Sequence, residues 1–268
     1  MLRPGGTFEG YVIDGVLGRG GSATVYRAHD EALHPVALKV LDDEHRLPPE
    51  LTRLQREFDF ARQLDHPHVI SVERHRDGWL TMQLVDGGNV GALDTLAQRL
   101  EALGQIADAL DYVHYRGIIH CDVKPTNILV AKDFCRDGAV LIDFGVAHAL
   151  AEDVHQKRPL EIRASLPYLA PELLRGQMPT GVTDEYALAC TAVELVTGAP
   201  PFAANTSMAI ANAQLYEPPP RISQTVAWVP RAFDSILQRA MAKDREERYQ
   251  TCTEFVEIVT KVLAQYSR

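Results

Sequence analysis

The sequence of 268 residues has no apolar run that is long enough to cross a membrane. The longest run, residues 186–196, is interrupted by Glu194, whereas a spanning helix needs about 20 apolar residues. The first ten residues lack the apolar segment of a secretory signal. A formal net charge of -9 offers no basic surface for nucleic acid or anionic lipid. We therefore expect a cytoplasmic protein without a membrane segment or a nucleic-acid partner.

Cysteine and lysine are both scarce. The four cysteines are far apart and form no CxxC pair, which favours free thiols in a reducing compartment. Only six lysines stand against 21 arginines, so each lysine in a motif is informative. The pattern GxxxxGK[ST] is absent, which excludes the P-loop NTPases.

What is present is an ordinary globular composition, 46% apolar and 24% charged, with a change of texture near residue 86. Before that point the pattern predicts a five-stranded sheet with one helix that begins at Pro48-Pro49. The predicted strands are residues 11–16, 23–26, 36–40, 69–72 and 80–85. Beyond it the pattern predicts helices over residues 96–117, 182–196, 205–214, 230–241 and 251–265. The fold class is therefore α+β, with a small β-rich lobe, a larger α-helical lobe and a ligand cleft between them.

A glycine-rich segment, residues 18–23, lies between two predicted strands. Glycine lets backbone amides approach phosphate oxygens closely. A dinucleotide fingerprint requires a helix after the turn, and here a strand follows instead. The segment is therefore either a phosphate-binding flap or an ordinary hairpin turn.

Two charged residues occupy apolar patterns. Lys39 interrupts the strand at residues 36–40, and Glu57 lies on the inward stripe of the helix that follows. A buried charge is costly without a partner, so the two side chains would need each other or a ligand. Alternatively, the lysine extends its amine to solvent and the glutamate is solvated.

A polar loop and a strand end carry a second set of charged groups. Asp122 suits a base for an attacking hydroxyl, and Lys124 suits neutralisation of a transferring phosphoryl group. Asn127 and Asp143 offer the oxygen ligands that Mg²⁺ prefers. A solvated connector and a turn aspartate are the simpler alternatives.

Together with Ala170-Pro171-Glu172, the HxDxKxxN loop and Asp143-Phe144-Gly145 resemble the signatures of Hanks-type (eukaryotic-like) serine/threonine protein kinases, their bacterial members in particular. The resemblance covers about residues 8–265. It implies the bilobal protein-kinase fold as one domain over residues 1–268, with an N-lobe at 1–85 and a C-lobe at 86–268.

The resemblance also assigns roles to individual positions. Transfer of the ATP γ-phosphoryl to protein serine or threonine hydroxyls would use Asp122, Lys124, Lys39 and Glu57, with Mg²⁺ (or Mn²⁺) on Asn127 and Asp143. The nucleotide would contact Leu17, Gly18, Arg19, Gly20, Gly21, Ser22, Ala23, Val25, Ala37, Lys39, Met82, Gln83, Val85 and Leu129.

Further implications concern structure and partners. Glu172 would form an ion pair with Arg248. Asp184 would hold the catalytic loop, which is the HxDxKxxN segment at residues 120–127. The substrates would be proteins, and a homodimer through the N-lobe is a further expectation. Lys157, Arg158 and Arg163 form either a solvated basic face or a contact for an acidic substrate.

One position departs from the family pattern. Cys121 stands where the family usually has an arginine that grips a phosphate on the activation segment, which a thiol cannot do. Between Asp143 and Glu172 the only hydroxyl residues are Ser165 and Tyr168, both at structural positions. We therefore expect activity without activation-segment phosphorylation. Cys121 itself is either an inert buried thiol or an oxidisable switch.

Two other functions compete with an active protein kinase. A pseudokinase scaffold would bind nucleotide without transferring phosphate, but the five chemically essential side chains are all present. A small-molecule phosphotransferase shares an HxDxxxxN loop, but Lys124 and the Asp-Phe-Gly and Ala-Pro-Glu motifs argue against it.

Overall fold

The computed structural model describes residues 1–149 and 165–266. The N-terminal part is an antiparallel sheet of six strands in the order β1-β2-β3-β4-β6-β5. The strands are β1 (Thr7–Phe8), β2 (Tyr11–Arg19), β3 (Ala23–His29), β4 (Pro35–Leu41), β5 (Val72–Arg76) and β6 (Trp79–Gln83). Helix α1 (Pro48–Ala61) connects β4 to β5 and packs against the sheet.

The alternation of side chains along β4 separates two apolar clusters. Val36, Leu38 and Val40 belong to the cluster on the outer face, which Trp79 and the N-terminal segment cover. Ala37 and Leu41 belong to the cluster on the inner face, which faces α1 and the large lobe. Because strand side chains alternate, Lys39 shares the inner face with these two residues.

Helix α1 directs a carboxylate at the same face. Its first positions are Pro48 and Pro49, which lack N–H groups where a helix has no acceptor for them. Leu54, Glu57 and Ala61 follow the i, i+3, i+7 spacing and are all buried. The helix therefore presents Glu57 to the inner face of the sheet.

The second part of the chain is mainly helical, and its core continues the cluster on the inner face of the sheet. Its helices are α2 (Leu96–Tyr115), α3 (Phe134–Asp137), α4 (Pro171–Leu174), α5 (Gly181–Thr197), α6 (Ser207–Tyr216), α7 (Arg231–Ala240) and α8 (Cys252–Leu263). Two small antiparallel sheets pair β7 (Ile118–Ile119) with β10 (His148–Ala149) and β8 (Ile128–Val130) with β9 (Ala139–Leu141). Over residues 1–149 and 165–266, none of the helices combines the length and apolarity of a membrane span.

Local sequence signals fix the ends of the long helix α2. Thr95 and Gln98 form a capping box, in which each accepts a hydrogen bond from the other's backbone N–H. The helix stops before Gly117, which takes a φ of 74°. The predicted helix of residues 96–117 is confirmed with small shifts at its ends, as are the predicted later helices.

One predicted strand is wrong. Residues 69–72 do not form a strand of the sheet, because Val69 and Ile70 pair with Leu141 of the large lobe. The edge strand is β5, which begins at Val72 and carries exposed polar side chains. The sequence of β5 shows no apolar alternation, because an edge strand buries few of its side chains. The short β1 is an additional, sixth strand.

The architecture is a curled β-sheet lobe on a helical lobe, which confirms the predicted bilobal α+β fold. The segment after β6 passes close to β8 of the large lobe. Gly87 donates a backbone hydrogen bond to Val130, and a Cβ at this position would lie 2.5 Å from the carbonyl oxygens of Val130 and Ala131. Glycine is required here by close backbone approach.

Candidate functional site

A cleft of about 560 Å³ lies between the two lobes. It is bounded by the β2–β3 turn, the inner face of the sheet, α1 and the polar loop after β7. Predicted site residues that line it are Gly20, Gly21, Ser22, Ala23, Val25, Lys39, Glu57, Met82, Lys124, Asn127 and Asp143. The cleft therefore gathers residues that are separated by more than 100 positions in the sequence.

Lys39 and Glu57 form a bidentate ion pair inside this cleft. The Lys39 Nζ donates to Glu57 Oε1 at 2.8 Å and to Oε2 at 2.6 Å. Burial alone would lower the pKa of Lys39, but the carboxylates of Asp143 and Glu57 outweigh it and hold that pKa above its ordinary value. The ammonium group is therefore charged and held at the cleft, and the alternative of two solvated side chains does not apply.

Asp143 is flanked by two cations. Its Oδ1 lies 3.9 Å from Lys39 Nζ, and its Oδ2 lies 3.6 Å from Arg53 Nη2. Burial would raise the pKa of Asp143, but these two cations outweigh it and lower the pKa below its ordinary value. The residue takes a φ of 67°, a left-handed conformation that costs about 1–3 kcal/mol for a non-glycine residue. Such strain is typical of functional sites, which favours a role beyond that of a turn aspartate.

The carboxylate of Asp122 is the centre of a hydrogen-bond cluster. Lys124 Nζ donates to both of its oxygens, at 3.0 and 2.8 Å, and Asn127 Nδ2 donates to Oδ2 at 2.9 Å. The Ser165 hydroxyl donates to Oδ1 and accepts from Lys124 Nζ at 2.8 Å. Asp122 is buried, so these donors fix the orientation of its carboxylate. The loop is therefore an organised polar network and not a solvated connector.

Asp184, fully buried at the start of α5, holds the backbone of this loop. Its Oδ2 accepts from the His120 N–H and its Oδ1 from the Cys121 N–H, both at 2.8 Å. The His120 side chain bonds the Ile142 carbonyl at 3.0 Å and accepts from the Asp122 N–H at 3.2 Å. The predicted anchoring by Asp184 is confirmed.

Cys121 is buried, with a φ of 65°. Burial and the nearby carboxylates of Asp184 and Asp122 raise the pKa of its thiol well above the ordinary value. Because the thiolate is the reactive form, this favours the inert thiol over the oxidisable switch.

The glycine-rich segment forms a hairpin, as predicted. The turn at residues 20–22 joins β2 to β3, and the Gly20 N–H donates to the Ala23 carbonyl at 2.8 Å. Gly18 and Arg19 end β2 and do not line the cleft, since the Arg19 side chain contacts Met1. The part of the segment at the cleft is residues 20–23.

Several of the residues that the resemblance assigns to nucleotide contacts lie outside the lining of the cleft. Ala37 pairs with Met82 between β4 and β6, and both side chains are buried. Leu17 of β2, Gln83 of β6, Val85 after β6 and Leu129 of β8 lie outside the lining of the cleft, as does Ala37. The cleft therefore extends from Met82 toward α1 more than toward the segment after β6.

Arg248 and Glu172 form a fully buried bidentate ion pair. Arg248 Nη1 donates to Glu172 Oε1 and Nη2 to Oε2, both at 2.8 Å. Thr183 of α5 donates to the same carboxylate at 2.9 Å. The predicted pair is confirmed, and it connects α4 and α5 to the segment that precedes α8.

The donor set at the cleft fits a hard divalent cation. Asn127 uses its amide nitrogen to bind Asp122, so its amide oxygen is available as a ligand. Asp143 supplies an ionised carboxylate beside the cleft. Amide and carboxylate oxygens are ligands that suit Mg²⁺ and also Mn²⁺.

Comparison with known proteins gives a family. The protein kinase domain matches residues 11–261. The chain belongs to the protein kinase family. The predicted resemblance to Hanks-type bacterial serine/threonine kinases is confirmed by three relatives from Mycobacterium tuberculosis.

These relatives are the serine/threonine-protein kinases PknJ, PknH and PknF. Identity to PknJ is 39% over 98% of this chain and 47% of PknJ. It is 36% for PknH, over 92% of this chain and 41% of PknH, and 35% for PknF, over 95% of this chain and 56% of PknF. The kinase domain described here thus spans about half the length of these relatives.

Two arginines of α1, which the sequence pattern did not reveal, contact the Asp-Phe-Gly turn and the residues that follow it. Arg53 reaches Asp143, and Arg56 donates to the Ala147 carbonyl at 2.8 Å. Arg53 precedes Glu57 by four residues, so helical spacing could have placed it on the same face of the kinase's α1. The basic residues Lys157, Arg158 and Arg163 lie outside the described part of the chain.

Proposed function

We propose that this chain is an active serine/threonine protein kinase that transfers the γ-phosphoryl group of ATP to protein serine and threonine hydroxyls. The observation that carries this proposal is that Lys39, Glu57, Asn127 and Asp143 line one cleft. Asp122 is hydrogen-bonded to Lys124 and Asn127 of the same cleft. A pseudokinase scaffold would not need the complete set with its hydrogen bonds.

The chemistry follows from the position of each group. Lys39, oriented by Glu57, would bind the α- and β-phosphates, and the β2–β3 turn would cover them with backbone amides. Mg²⁺, or Mn²⁺, on Asp143 and Asn127 would neutralise the triphosphate charge. These groups position the nucleotide and lower the cost of the charge on its phosphates.

The Asp122 cluster would act on the acceptor. Asp122 would accept the proton of the substrate hydroxyl as its oxygen attacks the γ-phosphorus, and Lys124 would stabilise the γ-phosphoryl oxygens. Ser165 ties Asp122 to Lys124 and favours the serine/threonine over the tyrosine pattern.

The test is transfer of radiolabelled γ-phosphate to a generic protein by the wild type and by Asp122→Asn. Asp122→Asn should lower the rate by about 10²–10⁴-fold, the typical effect of removing a positioned base. Asp137→Asn, an exposed aspartate on α3, is the matched control and should leave the rate unchanged. Nucleotide binding without transfer would indicate a pseudokinase, and transfer only to small molecules would indicate the other alternative. An unchanged rate in Asp122→Asn would refute the role of Asp122.

We also propose a cytoplasmic location for this domain. The four cysteines are free, and three of them are buried in the core. Free thiols of this kind suit a reducing compartment. A homodimer through the N-lobe stays a prediction of the family resemblance.

A further inference from the structure

Behind the catalytic loop, the junction of α2 and α8 brings three potential metal ligands together. Asp111 and His114 lie near the end of α2, and Cys252 is the first residue of α8. One ligand atom from each residue lies within 4.8 Å of the other two. In a tetrahedral zinc site, bond lengths of about 2.0–2.3 Å put ligand atoms about 3.3–3.8 Å apart. Small movements of the side chains would therefore close the site.

The orientation of His114 leaves the correct nitrogen for a metal. Its Nε2 lies 2.8 Å from Asp184 Oδ2, a carboxylate that only accepts, so Nε2 carries the proton. In the neutral ring Nδ1 then has a lone pair, and it faces Asp111 Oδ1 at 4.0 Å. Donation from the distant ring nitrogen to a carboxylate is the usual second contact of a histidine that binds metal.

One face of the His114 ring packs against residue 181, which is glycine. A Cβ at Gly181 would lie 3.0 Å from His114 Nδ1 and 3.4 Å from two ring carbons. The backbone of Gly181 has no positive φ, so the fold does not need glycine there for conformational reasons. Glycine instead allows the close approach of the His114 ring, which sets the position of Nδ1.

Asp111 fixes the other two groups relative to each other. Its two oxygens accept from the N–H groups of Cys252 and Thr253, both at 2.9 Å. These bonds hold the start of α8, and with it the Cys252 side chain, beside the carboxylate. The Asp111 and His114 side chains are 25% and 15% exposed, which gives an ion a route from solvent to the buried Cys252.

We propose that Asp111, His114 and Cys252 form a zinc site, with water as the fourth ligand. A set of one nitrogen, one oxygen and one thiolate sulfur donor suits zinc, whereas Mg²⁺ prefers oxygen donors alone. Binding forms the metal–sulfur bond and releases the Cys252 thiol proton to solvent. Asp184 binds both His114 and the backbone N–H groups of His120 and Cys121. An ion bound to His114 would therefore also stabilise the position of Asp184 and of the catalytic loop that it holds.

Cobalt titration of metal-free protein tests the site, since Co²⁺ replaces zinc and reports its ligands optically. A sulfur-to-cobalt charge-transfer band in the near ultraviolet, reversed by Zn²⁺, is the expected result. The band should persist in Cys135→Ala, which removes the exposed cysteine, and vanish in Cys252→Ala. The residues that line the catalytic cleft include no cysteine, so cobalt bound at Asn127 and Asp143 gives no such band.

Gly181→Ala provides a second variant that alters no ligand. Its methyl group would press on the face of the His114 ring and displace Nδ1, and should weaken cobalt binding by about tenfold or more. Circular dichroism of each metal-free variant checks that it is folded. The proposal is overturned if the wild type gives no charge-transfer band, if the band survives Cys252→Ala, or if Gly181→Ala binds cobalt as tightly as the wild type.

Discussion

At Cys121 the backbone and the side chain have separate consequences, the first for the geometry of the catalytic loop and the second for its ability to bind a phosphate. Its backbone N–H is held by Asp184, so the loop keeps its geometry whatever side chain stands there. Its side chain is a buried thiol whose pKa is raised by burial and by the adjacent carboxylates. An uncharged thiol offers no contact to a phosphate on the activation segment.

We therefore predict that activity does not depend on phosphate in residues 145–167. Treatment of active enzyme with a phosphatase should leave its turnover unchanged, because no arginine precedes Asp122 to bind the phosphate. Mass spectrometry before and after treatment identifies the sites that were removed. Loss of turnover together with loss of a phosphate from this segment would contradict the prediction.

Glu185 is a buried carboxyl group outside the catalytic site. Both of its oxygens are buried without a hydrogen-bond partner among the residues that the structure describes. Burial raises its pKa well above the ordinary value, the charges of Glu172 and Glu254 add to this, and Arg248 and Arg239 offset part of it. The folded protein therefore holds this proton at pH values where the unfolded chain has already lost it.

This sets the sign of a pH effect on stability. The stability that the protonated Glu185 carboxyl contributes is fully present below the pKa that Glu185 has in the unfolded chain. It is lost as the pH rises toward the pKa of Glu185 in the folded protein, by up to about 1.4 kcal/mol per pH unit. The glutamine in Glu185→Gln cannot ionise. The free energy of unfolding of this variant, relative to that of the wild type, should therefore increase as the pH rises from 5 to 8. Urea unfolding at several pH values measures the difference. A difference that is constant over this pH range would disprove protonation of the buried carboxyl.

At the scale of elements, the sequence predicted those with a local signal. Helix α1 was predicted from Pro48-Pro49 and its apolar spacing, and α2 from its apolar stripe and Gly117. Strand β5 was misplaced, because an exposed edge strand has no apolar alternation and the apolar Val69 and Ile70 pack against the large lobe. Contacts between lobes, such as that of Val69 with Leu141, leave no local pattern in the sequence.

Substitution by alanine should change the stability in opposite directions at two glycines, one in α2 and one in the segment between the lobes. Gly104 lies inside α2 with no atom within 4 Å of an added Cβ, so Gly104→Ala should stabilise the protein by about 0.5–1 kcal/mol. At Gly87 the Cβ would meet two backbone carbonyls, and Gly87→Ala should destabilise it by about 1–3 kcal/mol. Denaturant unfolding of both variants measures the free energies. Equal shifts of the same sign would show that the close approach at Gly87 has no energetic weight.

At the scale of the whole molecule, the candidate site is a meeting of distant segments. Helical and strand periodicity placed Lys39 and Glu57 on facing surfaces, but only the family resemblance connected them to Asp122 and Asp143. Arg53 and Arg56 were missed because their partners, Asp143 and Ala147, follow about 90 residues later in the chain. Local pattern cannot predict which distant loop a surface arginine reaches.

The proposed function depends on the binding of ATP together with Mg²⁺ through Asp143 and Asn127. Calorimetric titration of ATP with and without Mg²⁺, for the wild type and Asp143→Asn, measures this dependence. We expect Mg²⁺ to tighten ATP binding to the wild type, and Asp143→Asn to lose about tenfold or more of this gain, as for a contact to a charged group. Wild-type binding that is indifferent to Mg²⁺, or an Asp143→Asn variant that keeps the full gain, would contradict it.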